Sequence, residues 1–153
     1  MRQLKVTQTY TCRTGSVEQY FRDINRIPRV TPDEEVELAH RISQGDEEAF
    51  RTLVEANLRF VVSVSKQYQG HGLDLSDLIN EGNMGLMKAA RKFDPSRGFK
   101  FISYSIWWIR QSILQAISDQ SRMVRLPMNQ VTYITKVKCA STDFFKDNGR
   151  EPT

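Results

Sequence analysis

Apolar residues recur along this chain at helical spacing, and nowhere does the two-residue alternation of a half-buried strand persist, so the pattern predicts an all-α protein with short loops. A short amphipathic helix is expected from Val17 to Arg26, ended by Pro28. Thr31-Pro32-Asp33-Glu34 then opens a second helix with a capping box and a proline at its first position. Gly45 closes that helix and Asp46 caps a third. Ala49 to Tyr68 holds enough apolar residues for a long core helix, with a bend expected near Asn57 and an end at Gly70. His71-Gly72 reads as a tight turn. The next helix covers about Leu75 to Phe93, breaks at Asp94-Pro95-Ser96, and is followed by a helix from Phe101 to Ile117; Pro127 starts a last one to about Asp147. Residues 1 to 15 carry no sustained period and are expected to form a flexible basic arm. This divides the chain into an arm over 1–15, a helical domain over 16–126 and the start of another helical unit over 127–153.

Two of these helices show more than a core stripe. Over Phe101 to Ile117, Ile102, Ile106, Ile109, Ile113 and Ile117 align as one apolar stripe at 100° per residue. Phe101, Tyr104, Trp108, Gln111 and Gln115 then fall on the other side, flanked by Trp107 and Leu114, so large rings are expected to point outward. Arg97, Lys100 and Arg110 are interleaved with them, and a fully enclosed helix rarely carries unpaired cations. The alternative is a helix apolar all round and sandwiched between neighbours. Over Leu75 to Phe93, the face formed by Leu78, Ile79, Gly82, Leu86, Ala89, Ala90 and Phe93 leaves Asp77, Asn80, Glu81, Met84, Met87 and Lys88 outside. Asp77 and Glu81 suit a helix N-terminus, but two outward methionines suit a protein partner's surface. Gly82 and Gly85, poor helix formers, suggest a close approach by a neighbouring helix.

Composition narrows the class. With 39% hydrophobic and 26% charged residues, the 153-residue chain can bury a core without disulfides, and no apolar run approaches the roughly 20 residues of a membrane span. Cys12 and Cys139 are far apart and in no metal-binding spacing, which suggests free thiols and a cytoplasmic setting. The net charge of +4 hides an asymmetry: residues 31–60 sum to −5, whereas residues 88–138 sum to +8. The second half is therefore the part suited to a polyanion, and six of the fifteen aromatics lie within Phe93–Gln115 beside it. His40 and His71 are the two histidines and neither sits near a cysteine; no phosphate-binding glycine loop, zinc spacing or catalytic constellation is present. Binding is the expected class, without enzyme activity, metal or cofactor.

Four stretches carry a resemblance: Asn57-Leu58-Arg59, LSDLINEGNMGLMKAARKFD from Leu75, RGFKFISYSIWWIRQSI from Arg97, and DQSRMVRLP from Asp119. The chain resembles the primary, housekeeping bacterial sigma factors, the promoter-recognition subunits of RNA polymerase, from about Val17 onward. In that family the helix similar to Leu75–Phe93 docks on a coiled coil of the largest polymerase subunit. The resemblance therefore implies polymerase contacts for Asp77, Asn80, Glu81, Asn83, Met84 and Met87. The segment similar to Phe99–Gln111 opens the minus-ten element and binds its single-stranded non-template bases. Tyr104 matches the tyrosine that stacks on a flipped adenine, Trp107 and Trp108 the pair at the fork, and Phe99 and Phe101 their aromatic neighbours. Gln111 matches a reader of the last upstream base pair. Arg59, Lys66, Lys100, Arg110 and Arg125 would hold phosphates, and Tyr20 and Phe21 would lie near the discriminator. Asn57, Phe60, Arg97, Ile102, Ser103, Leu114 and Gln115 complete the DNA-facing set that the resemblance implies.

The departures are informative. Leu114 and Gln115 stand where the family commonly has threonine and arginine, Phe60 and Ile102 where it has a leucine and a serine lining the pocket for the element's last base. Asn129 and Thr132 replace a histidine and a glutamate associated with the extended element. A promoter consensus differing from the usual one is the expectation. The family also continues past a GREPT-like segment into further helices, so a fragment is expected here.

Overall fold

A computed structural model of the chain describes residues 15–122 and 124–150. The expected basic arm up to residue 14, Met123, the terminal Glu151-Pro152-Thr153 and the side chain of Arg97 lie outside the described residues. The described chain is helical: α1 (Gly15–Arg26), α2 (Pro32–Ser43), α3 (Glu47–Ser65) extended by a 3-10 turn at Lys66–Tyr68, α4 (Leu75–Lys92), a second 3-10 turn at Pro95–Arg97, α5 (Phe101–Gln120) and α6 (Met128–Asn148). No strand occurs among the described residues.

The helix starts follow from local chemistry. Thr31 Oγ1 accepts from the Glu34 N–H at 3.4 Å while Glu34 Oε2 accepts from the Thr31 N–H at 2.8 Å, which closes the capping box and starts α2 at Pro32. Asp46 accepts from the Glu48 and Ala49 N–H groups at 2.9 and 3.2 Å and from Arg41 Nη2 at 2.6 Å. Those bonds, the guanidinium's first, hold its carboxyl below the ordinary carboxylate range. α3 is continuous through Asn57, whose side chain is buried and donates from Nδ2 to the Leu53 carbonyl one turn back at 2.8 Å.

α3, α4 and α5 enclose the core, in which Leu53, Val61, Leu78, Leu86, Ala89, Phe101, Ile109 and Ile113 are fully buried. The two glycines of α4 act as the sequence suggested. A Cβ at Gly85 would lie 2.7 Å from the Trp108 carbonyl oxygen and 2.9 Å from Ile109 Cα, and one at Gly82 would lie 2.6 Å from Val61 Cγ1. α4 therefore meets α5 backbone to backbone at Gly85. α1 adds a satellite cluster of Ile24, Val62 and Ile79, and α6 buries none of its residues.

The phase of α5 differs from the expectation. Its buried line is Phe101, Ser105, Ile109, Ile113 and Ala116, whereas Ile102 is 41% exposed. Phe101, expected outward and expected to contact DNA, is sealed in the core, with its ring 5.2 Å from Phe93 edge to face. The reason is Ser105, a polar residue that enters the core because its hydroxyl donates to the Ile102 carbonyl at 3.2 Å. Its small side chain lets α5 roll until Phe101 fills the space, burying more apolar surface than Ile102 would. Trp108 is also turned inward: half-buried, packed on the core, with Lys92 Nζ 4.6 Å above its ring. Met87, expected outward, is half-buried against the same core.

Candidate nucleic-acid interface

Two clefts flank the first turn of α5. The first, of about 350 Å³, is lined by Lys92, Phe93, Asp94, Phe99, Ser103, Tyr104 and Trp107. Gly98, in the left-handed conformation at φ +70°, ends the 3-10 turn and sends Phe99 outward, where it is 70% exposed. Tyr104 lines this cleft and is half-buried. Its ring lies 5.9 Å from Phe93 and 6.2 Å from Trp108, and its hydroxyl makes a long 3.5 Å bond to the Lys92 carbonyl. Trp107 is 70% exposed, so the tandem tryptophans divide: one faces solvent, and the other braces the tyrosine. The arrangement offers a flat, apolar, cation-bordered slot of the kind that accepts an unstacked base.

The second cleft, of about 290 Å³, gathers Arg29, Val30, Glu35, Ala56, Asn57, Arg59, Phe60, Ser63 and Ile102. Here the structure brings together Asn57, Arg59, Phe60 and Ile102, which the sequence placed at the DNA surface, from α3 and α5. Arg29, Val30 and Glu35 are contributions that the sequence reading missed. Glu35 Oε2 accepts from the backbone N–H of Phe101 at 3.3 Å, so α2 anchors the first turn of α5 between the two clefts. A carboxylate at that helix terminus is favoured by its orphan N–H groups. No pattern signal marks a contact across 66 positions.

Other expected site residues are placed elsewhere. Tyr20 and Phe21 are half-buried in the seam of α1 with α3 and α4; Lys66 Nζ sits 5.7 Å over the Phe21 ring. Asn83, expected to face the polymerase, turns to α1 and donates to the Tyr20 hydroxyl at 3.3 Å. Burial pushes that hydroxyl above its ordinary pKa, with the Asn83 bond opposing. Asp77, Asn80 and Met84 are exposed on α4, as expected, while Glu81 accepts from Gln120 Nε2 at 3.2 Å, tying α4 to the end of α5. On α5, Gln111 and Leu114 are exposed and Arg110 is half-buried; Lys100 is exposed just before the helix. Gln115 is exposed but donates to Asp119 at 2.7 Å, and Asp119 also pairs with Arg125 at 3.0 Å.

No group of three or more His, Cys, Asp or Glu among the described residues could hold a metal ion, and none of their helices is long and apolar enough to cross a membrane.

Comparison with known proteins gives the geometry a family. Residues 15–48 match the model of Sigma-70 factor, region 1.2, and residues 53–123 that of Sigma-70 region 2. The chain is 53% identical over 137 residues to an RNA polymerase sigma factor SigA of Bacillus sp, 48% over 136 residues to that of Clostridium acetobutylicum and 50% over 137 residues to that of Listeria monocytogenes. These alignments cover 89–90% of this chain but 36–37% of each relative, so the chain spans little more than a third of their length. The Glu35–Phe101 bond is one of the contacts that join regions 1.2 and 2, and the chain belongs to the sigma-70 family.

Proposed function

We propose that this chain is the part of a sigma initiation factor that binds core RNA polymerase and opens the minus-ten promoter element by capturing non-template bases after they leave the duplex. The observation that carries this reading is the pair of clefts at the first turn of α5, one aromatic and one mixed. Each is open to solvent, and each is reached by residues that the family resemblance assigns to bases. Unpairing and unstacking cost a few kcal/mol, and each base–aromatic stack contributes about 1–3 kcal/mol, so capture of two bases offsets the loss without ATP. Tyr104 and Trp107 supply the rings, and Ser103 and Phe99 the walls of the first cleft. Asn57, Phe60 and Ile102 form the second, with Phe60 and Ile102 making it more apolar than a leucine and serine would. Arg59, Lys66, Lys100, Arg110 and Arg125, with Arg97, hold the backbone, which positions without specifying. The exposed Asp77, Asn80 and Met84, beside Glu81, offer the polymerase an acidic face with an adaptable thioether. Such a factor works in the cytoplasm, where its polymerase is.

The test is a fork-junction probe with unpaired non-template minus-ten bases, bound by the chain alone and assembled with core polymerase, beside a fully paired control. Preferential binding of the fork, with log affinity falling by about 0.7 per phosphate contact on log salt, is the expected result. Equal affinity for both probes, or no salt dependence, would overturn it.

A further inference from the structure

α5 begins without a cap of its own. α2 is started by Thr31 and α3 by Asp46, each through its own side chain, whereas Lys100, at the N-cap of α5, makes no side-chain cap bond. Its ammonium can only donate, and a cation at the positive end of a helix is electrostatically misplaced. The acceptor comes instead from the other region: Glu35 Oε2 takes the Phe101 N–H at 3.3 Å, so the first residue of α5 is closed from α2. Adjacent glutamates thus serve two helices, since Glu34 completes the capping box of α2 and Glu35 caps α5. The turn so held carries the wall of a base cleft. Phe101 is fully buried, and the next residue, Ile102, stands 41% exposed in the composite cleft that Glu35 also lines. Tyr104 has separate support from the Phe93 and Trp108 rings.

We propose that Glu35 is a positioning residue for base capture: it caps α5 from region 1.2 and so presents Ile102 to the composite cleft, while position 100 stays a cation. The inference rests on the promoter-binding reading above and deepens it. A serine or aspartate at position 100 would start α5 locally, but it would remove the lysine to which that reading gives a DNA phosphate. An acceptor carried by α2 serves the helix and the DNA together. It also makes the composite cleft conditional on α2 lying beside α5.

The full chain is compared with Glu35→Gln, which keeps an acceptor, and Glu35→Ala, which does not. Both lose the same charge, so general attraction to DNA changes alike in the two. Fork probes abasic at one captured position at a time report how much each base adds to affinity; the base sensitive to Phe60→Ala lies in the composite cleft, and the base sensitive to Trp107→Ala in the aromatic one. In Glu35→Ala the contribution of the composite-cleft base should fall roughly fivefold, as expected for a lost cap. Glu35→Gln should stay within about twofold of the unaltered chain, and the aromatic-cleft base should keep its contribution in both. The Phe101 amide should exchange its hydrogen faster in Glu35→Ala alone. Cooperative urea unfolding of each variant separates lost positioning from a lost fold. Adding Lys100→Ser to Glu35→Ala supplies a local cap: every probe binds weaker for want of a phosphate contact, but the composite-cleft contribution returns. If Glu35→Gln and Glu35→Ala behave alike, or if the local cap restores nothing, Glu35 does not act through α5; this inference is then wrong and the promoter-binding reading survives. If fork and paired probes bind alike, that broader reading has failed and this one with it.

Discussion

The cleft around Tyr104 and the cleft around Phe60 share the first turn of α5, yet they are assembled from different distances along the chain. Every residue lining the first falls between Lys92 and Trp107, so it forms once α4, the turn at Pro95–Arg97 and α5 are in place. The second takes Arg29 and Val30 from the link between α1 and α2, Glu35 from α2, Asn57 and Phe60 from α3 and Ile102 from α5. A locally built slot depends on one helix hairpin, whereas the composite slot depends on the junction of region 1.2 with region 2. The two should therefore fail separately when the right contact is removed.

The largest effect should abolish the distinction. Ile109→Ala, at a fully buried site opposite Gly85, is expected to cost about 2–5 kcal/mol in denaturant unfolding and to weaken both clefts together. A variant that lost base binding at only one cleft would show that the shared core does not support both. Trp107→Ala should separate them: the ring is 70% exposed, so folding stability should hold while fork binding falls by about 1–3 kcal/mol and paired DNA is spared. Equal loss on both DNAs would remove the indole from the aromatic slot's function.

How far each cleft could be read from the chain follows the same division. The aromatic slot was legible because its residues are neighbours in sequence, and the capping box at Thr31 and the glycines at 82 and 85 announced their geometry. The rotation of α5 was not. Hydropathy counts five isoleucines as the buried stripe and cannot foresee that Ser105, satisfied by its own helix, goes inside while Ile102 comes out to line the second cleft. Phe101 was misplaced for the same reason. Glu35 was hidden because its partner is a backbone N–H, which leaves no side-chain signature in sequence.

Smaller perturbations sharpen the contrast. Thr31→Ala removes the cap that starts the helix carrying Glu35, so it should cost about 1 kcal/mol of stability and loosen the composite cleft while sparing the aromatic one. Equal weakening of base capture at both would contradict the proposed independence, as read with probes abasic at one captured position at a time. The least effect is expected at Tyr20, which lines neither cleft. Burial raises its folded pKa above the ordinary 10.0, so the unfolded chain ionises first as pH rises. Stability present below pH 10 is then lost as pH climbs through the folded value. Tyr20→Phe should flatten that alkaline decline in urea midpoints and leave fork binding unchanged; an unaltered decline would place its origin elsewhere.

The contact at Gly85 has a mechanical corollary. Helices separated by side chains can slide or settle as rotamers adjust, which absorbs small displacements. Where the Trp108 carbonyl rests against Gly85 there is no such cushion, and the two backbones meet directly. One methyl group at position 85, 2.7 Å from that oxygen and 2.9 Å from Ile109 Cα, would have to force the two backbones apart.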